Sequence, residues 1–360
     1  MTTVAKRFPP LKWASARRMA LVLAAALVVE AALVLAFTRI PNARAYVPLR
    51  FVNSTDAYDW SPADAPRWFR TDDPTLPQAS YFREAAGLGL DAGDETFEQQ
   101  LAIMEWVRQQ ALVVDSVQTI PGDPITVHEA MLAGTPAQCG NFATLYATTS
   151  ASAGLTGVRT WFLLSSDGPN GWGHILNEVW VPERGKWVMV DPMNNAYVLR
   201  DGEPASLVEV REMILTGQRG RLELVAGPNG HTPPERLFDL YEVSMPIVSL
   251  AGAHTPLANS YRQTWSDQVV ARLPDVANLP FLADRVFALL SGEALQVTLV
   301  DDLARERMDR LPIVEIKVLF AAIIAGGLVI ALASLRLVWL GLRHLRESLT
   351  SSRQAASQPG

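Results

Sequence analysis

"GWGHILNEVWVPERGKWVMVDP" runs from Gly171 to Pro192, and its two apolar arms flank a proline–glycine loop. His174 to Val181 and Lys186 to Asp191 alternate with a period of two, which marks strands, and the short loop makes them a hairpin. With Glu183 and Arg184 at the tip, closed by Pro182 and Gly185, facing residues carry numbers that sum to 367. Asp191 then faces Leu176. His174, two residues from Leu176 on the same face, becomes its diagonal neighbour within side-chain reach. A slip of one residue would send the two to opposite faces, so the loop decides whether they meet.

Upstream, "TPAQCGNFATLYATTS" (Thr135 to Ser150) holds Cys139, the only cysteine of the 360 residues. One thiol cannot form an internal disulfide; it stays free or pairs with another molecule. The Gly134 to Pro136 turn and the apolar run ended by Gly154 predict a helix from about Ala137 to Ala153, with Cys139 in its first turn. Unpaired backbone N–H groups and the helix dipole stabilise an anion there. Beside a histidine, such placement can lower a thiol pKa from ~8.5 to ~3.5–7.5. His174 would be the base and Asp191 the carboxylate that orients it. Alone, each residue has a duller explanation: a buried filler, a satisfied strand-end histidine and a turn aspartate. Their combination gives them weight.

Around this centre, Asp94 to Val113 reads as an amphipathic helix capped by Asp94 or Thr96, and Thr126 to Leu132 as a short helix after the "PGDP" turn. Val158 to Leu164 reads as a strand and Asp201 to Gly217 as a helix. Tyr46 to Ala79 reads as irregular, and Arg219 to Pro312 as mixed and partly helical. Asn194 and Asn195 read as turn formers. Trp172, Trp180 and Trp187 read as core packing ahead of a substrate wall. The remaining histidines (His128, His231, His254 and His344) show no zinc spacing, so neither a metal nor another cofactor is expected.

Half of the chain is apolar (49%), 19% is charged, and the formal charge of −6 argues against nucleic acid as the main partner. Met19 to Phe37 is apolar except for Glu30, and Val318 to Leu335 carries no charge. Each approaches the ~20 residues that cross a ~30 Å hydrocarbon layer. Lys6, Arg7, Lys12, Arg17 and Arg18 precede the first; Arg336, Arg343, Arg346 and Arg353 follow the second. The positive-inside rule then puts both ends in the cytoplasm and the chain between them outside it. A cleaved signal peptide ending at "NARA", before Tyr46, is the rival for the first segment, though its apolar stretch exceeds the usual ~7–15 residues. Small residues at Ala321/Ala325, Ala322/Gly326 and Gly327/Ala331 would let two helices approach closely.

"GTPAQCGNFA", "GLTGVRTWFL", "GHILNEVWV" and "KWVMVDP" together resemble the successive blocks of the transglutaminase-like superfamily. The resemblance implies an α+β, papain-like core in which a cysteine-bearing helix packs on an antiparallel sheet. It also implies Cys139 as nucleophile, His174 as base and acid, and Asp191 as the orienting carboxylate. Gly140 stands where animal transglutaminases place tryptophan, so "CGNFA" is closer to the peptide N-glycanase block and to many bacterial members. No segment resembles the calcium sites of the animal enzymes. Gln138 or Trp106 could complete an oxyanion hole, and neither is secured by a motif.

The expected organisation is a cytoplasmic tail (1–18), a transmembrane helix (19–37) and an irregular extracytoplasmic lead-in (38–94). The core (95–200) and a C-terminal extension (201–312) follow, then a second transmembrane helix (313–335) and a cytoplasmic tail (336–360). Two functions fit. One is a membrane-anchored thiol enzyme acting through a thioester on an amide of a peptide or protein, free or glycan-linked. The other is a catalytically silent scaffold that binds peptide or envelope glycan within a membrane complex.

Overall fold

The computed structural model describes residues 11–40, 50–52, 58, 60–66, 69–88, 96–114, 120, 122–155, 157–165, 173–245, 247–251, 253–254, 296–299 and 313–356. Asp94, Trp172 and most of 255–312 lie outside these residues. The chain divides into two compact units, Pro48–Leu311 and the pairing of Met1–Val47 with Pro312–Gly360.

In the second of these units, α1 (Leu11–Thr38) packs against a helix at the other end of the chain, α8 (Ile313–Ala356). Within them, Arg17–Thr38 and Val314–Arg343 are long and apolar enough to cross a membrane. The helices run antiparallel, with Phe37 against Phe320 (ring centroids 5.9 Å apart) and Glu30 against Gly326. A Cβ at position 326 would collide with the Glu30 carboxylate, so the glycine makes the room this acid occupies. Glu30 is thus an interface residue between the helices.

In Pro48–Leu311 the chain is α+β. A nine-stranded sheet runs β1 (Arg50–Val52), β11 (Gln296–Leu299), β9 (Ile247–Ala251), β3 (Val158–Leu164), β4 (Gly173–Val181), β5 (Lys186–Asp191), β6 (Ala196–Arg200) and β7 (Glu203–Pro204). β8 (Leu222–Ala226) also pairs with β6. All neighbours are antiparallel except β1 and β11. Elsewhere β2 (Arg70–Thr71) and β10 (Ala253–His254) form a small parallel pair.

Helices cover both faces of the central strands. On one face lie α2 (Pro77–Ala86), α3 (Phe97–Gln109), α4 (Pro124–Leu132) and α5 (Cys139–Ser152). Eleven of the fourteen residues of α5 are buried, so it is the central helix of this layer. Phe142, Leu145 and Tyr146 share its core with Val179, Val181, Val188 and Val190 of the sheet. The opposite face carries Leu176 and Met189 against α6 (Leu207–Leu215) and α7 (Pro234–Ser244). Full burial of such side chains stabilises the fold by roughly 1.5–3 kcal/mol each. Strands covered on both sides keep apolar residues at successive positions, which explains why β4 is buried almost throughout rather than alternately.

On the α6 face, Arg159 and Glu178 face each other across β3 and β4 and are 2% and 0% exposed. Glu178 Oε2 accepts from Arg159 Nε at 2.7 Å and from the Trp161 indole at 2.6 Å, while its Oε1 accepts from the Leu207 backbone N–H at 2.6 Å. The guanidinium lies 4.1–5.2 Å from the rings of Trp187, Trp60 and Trp161 and donates to the Tyr58 carbonyl. Trp187 donates to the Trp60 carbonyl at 2.6 Å and meets Trp180 edge-on, so the described tryptophans of the hairpin are packing residues.

Two expectations are corrected. The irregular stretch reaching Ala79 gives way to α2 at Pro77, where a proline in the first turn starts a helix with buried Ala79 and Phe82. The helix expected over Asp201 to Gly217 begins only at Leu207, capped by Ser206 and Glu209. Asp201 (φ 52°) and Gly202 (φ 85°) instead turn β6 into β7, as an Asp-Gly pair with both φ positive does in a hairpin.

Candidate active site

Cys139 opens α5 because the chain before it is fixed in three ways. Gly134 turns with φ 86°, Ala137 donates to the Val113 carbonyl at 3.2 Å, and Gln138 takes the N-cap position. Asn141, one turn in, accepts from the Gln138 backbone N–H at 3.2 Å and from that of Ile120 at 3.1 Å. It returns a bond to the Ile120 carbonyl at 3.0 Å. As the first helical residue, Cys139 carries one of the backbone N–H groups that have no partner within a helix. Cys139 is half-buried.

His174 stands second in β4 and Asp191 ends β5. The ladder pairs Asn177 with Val190 through Val181 with Lys186, the register that sums to 367, and the loop is a single 3-10 turn, Pro182–Arg184, closed by Gly185 at φ 59°. His174 Nε2 donates to Asp191 Oδ2 at 2.7 Å. That leaves Nδ1 for the interaction with the Cys139 side chain. Cys139, His174 and Asp191 are therefore brought together, with Cys139 half-buried and the other two 2% and 0% exposed.

Burial alone would lower the His174 pKa, yet the charge and hydrogen bond of Asp191, joined by those of Cys139, push it up to about 10. Burial likewise would raise the Asp191 pKa, but His174, Asn194 and Tyr241 hold it below the usual carboxylate range. At neutral pH the imidazole is thus a cation held by the Asp191 carboxylate, next to the Cys139 side chain.

Sequence reading missed the other donors to Asp191. Asn194 gives its backbone N–H to Oδ1 at 3.2 Å and its side-chain amide to Oδ2 at 2.7 Å, and the Tyr241 hydroxyl donates to Oδ2 at 3.0 Å. Asn194 is a turn residue as read, and its place three positions after an aspartate was the available signal. Trp106, considered for an oxyanion hole, packs at a tilt against His128, 5.4 Å between centroids. His128 accepts at Nδ1 from Tyr81 (2.9 Å) and donates from Nε2 to Gln110 (3.2 Å), a neutral tautomer whose pKa burial lowers. Among the described residues no three His, Cys, Asp or Glu side chains gather as a metal site.

Residues 86–192, which carry the cysteine helix and the histidine–aspartate hairpin, match the family model of the transglutaminase-like superfamily. The chain contains a transglutaminase-like domain. No curated protein and no solved structure matches the chain. The transglutaminase-like match ends at Pro192, so Asn194 and Tyr241 lie beyond it.

The shifted pair makes stability depend on pH. His174, raised from 6.5 to about 10, contributes fully below about 6.5 and loses its contribution as pH rises through about 10. Asp191, lowered from 3.8, contributes above that value and loses its share as pH falls through its native pKa. The melting-temperature advantage of the wild type over His174→Gln will therefore be greatest between about pH 4 and 6.5 and will shrink towards pH 10. Thermal unfolding of both full-length proteins in detergent across pH 3–10 checks this; a flat difference would contradict it.

Proposed function

We propose that this protein is a membrane-anchored thiol enzyme that opens amide bonds outside the cytoplasm. The observation that carries this reading is the contact from Cys139 through His174 to Asp191, in which Cys139 is half-buried and the other two are buried. The Cys139 thiolate attacks the amide carbon, and the new oxyanion lies near the Cys139 backbone N–H at the start of α5. Collapse of the tetrahedral intermediate breaks the C–N bond, and the amine leaves with the proton from His174. A thioester remains on Cys139. Water, or an acceptor amine, then attacks it, giving its proton back to His174 as the thiolate is released. Hydrolysis is the favoured outcome, which makes the enzyme an amidase or peptidase ahead of a cross-linker. The acyl group belongs to a peptide or protein, free or carried on a glycan.

Membrane placement rests on two helices long and apolar enough to span, on basic residues at the outer end of each, and on their antiparallel pairing. Both ends of the chain then lie in the cytoplasm, and the transglutaminase-like domain lies on the other side.

Mass spectrometry of rapidly acid-quenched native membranes tests the chemistry. Wild-type protein will carry an acyl adduct on Cys139 that disappears with neutral hydroxylamine, and Cys139→Ala will carry none. Failure to find the adduct after supplying peptide digests of the same membranes would overturn the reading.

A further inference from the structure

The carboxylate end of the site is completed from beyond the matched domain. Asp191 Oδ2 is the common acceptor of His174 Nε2, Asn194 Nδ2 and the Tyr241 hydroxyl, at 2.7, 2.7 and 3.0 Å. Tyr241 sits on α7, fifty residues after the aspartate, and is 0% exposed. The chain between them grips the same turn. Asn194 Oδ1 accepts from the Thr232 N–H at 2.9 Å, Gly227 donates to the Asn195 carbonyl at 2.7 Å, and Asn195 Nδ2 donates to the Pro228 carbonyl at 3.0 Å. At Gly230 a Cβ would collide with the Asn194 carbonyl, so the backbone there approaches as closely as a glycine allows. The far end of α7 is held as well, by Arg211 Nε on the Met245 carbonyl at 2.9 Å.

We propose that Tyr241 is a positioning residue of this site: its hydroxyl keeps the Asp191 carboxylate ionised and turned towards His174, which makes residues 227–241 part of the machinery. The proposal rests on the roles given above to Cys139, His174 and Asp191. A buried carboxylate with a single partner would be costly, and each further donor favours the charged form. Burial, with Asp191 alongside, raises the phenol pKa well above 10, so the hydroxyl remains a donor wherever the enzyme operates. Phenylalanine would fill the same volume, against Phe238 at 6.3 Å, without the bond.

Alkylation of Cys139 by iodoacetamide, followed from pH 3 to 9 in the full-length protein, tests this, because no other thiol contributes. Protonating Asp191 removes the charge that holds the imidazolium next to the sulfur. Tyr241→Phe will therefore shift the acid edge of the profile upward by about one pH unit, as expected for one lost bond to a charged group. Phe238→Leu disturbs the packing but keeps the hydroxyl, and will leave the edge in place. Should Tyr241→Phe fail to fold, 3-fluorotyrosine at position 241 carries the test, since its more acidic hydroxyl donates more strongly and will move the edge down. An edge unmoved by either change, or moved equally by Phe238→Leu, overturns the proposal. Wild-type alkylation no faster than that of a free cysteine overturns the enzymatic reading instead, and the edges of the variants can still be compared.

Discussion

His174→Gln will lower the formation of the Cys139 acyl adduct by about three orders of magnitude or more, the usual loss when a member of a catalytic triad is removed. Glutamine is the informative replacement. Alanine would leave the Asp191 charge buried without its cation, and the loss of activity would then be mixed with unfolding. The glutamine amide can still donate to Asp191 but cannot carry a proton. Single-turnover labelling measures the effect, and iodoacetamide supports it independently. The thiolate is the form that alkylates, and a neighbouring imidazolium is the feature that the variant removes. Because paired thiolates are also weaker nucleophiles, the expected fall in alkylation is about tenfold. If the wild type alkylates as slowly as glutathione and the variant matches it, only the binding-scaffold function remains.

The second large effect is on stability. Glu178→Ala removes the acceptor of Arg159 Nε, of the Trp161 indole and of the Leu207 N–H at the start of α6, and leaves a guanidinium enclosed by tryptophans. Breaking one side of a buried ion pair costs about 3–5 kcal/mol. The double replacement Arg159→Met with Glu178→Leu leaves no charge behind and will cost less than Glu178→Ala alone, even with the indole and the amide unpaired. Equilibrium denaturation of the full-length protein in detergent, at fixed pH, separates the cases. A double variant less stable than the single one would show that the pair contributes more than its desolvation costs.

The contrast between the hairpin and α7 shows what sequence can carry. In the hairpin, Pro182 and Gly185 bracket a loop of defined length, and loop length sets register; the pairing of Trp180 with Trp187 and the approach of Asp191 to His174 follow. The start of α5 is similarly local, set by the Gly134 turn and a helix ended near Gly154. Tyr241 offers no such signal. It lies four residues after Leu237 on the buried side of α7, where an aromatic residue reads as ordinary core, and its partner is fifty positions upstream. The same limit hid the antiparallel contact of β3 with β9, whose strands are about eighty residues apart along the chain. Asp201 and Gly202 were ambiguous for a different reason. Aspartate caps helices and also begins tight turns, and the backbone, with φ positive at both residues, resolves the choice.

The unequal exposure of the three site residues has a pharmacological side. Imidazole and carboxyl are sealed beneath the surface, while Cys139 is only half-buried. Reagents that modify histidines or acids find those doors shut, and a soft electrophile has the half-buried cysteine as its target. A covalent ligand would be aimed at Cys139, and the lack of any competing thiol in the chain would make its stoichiometry one.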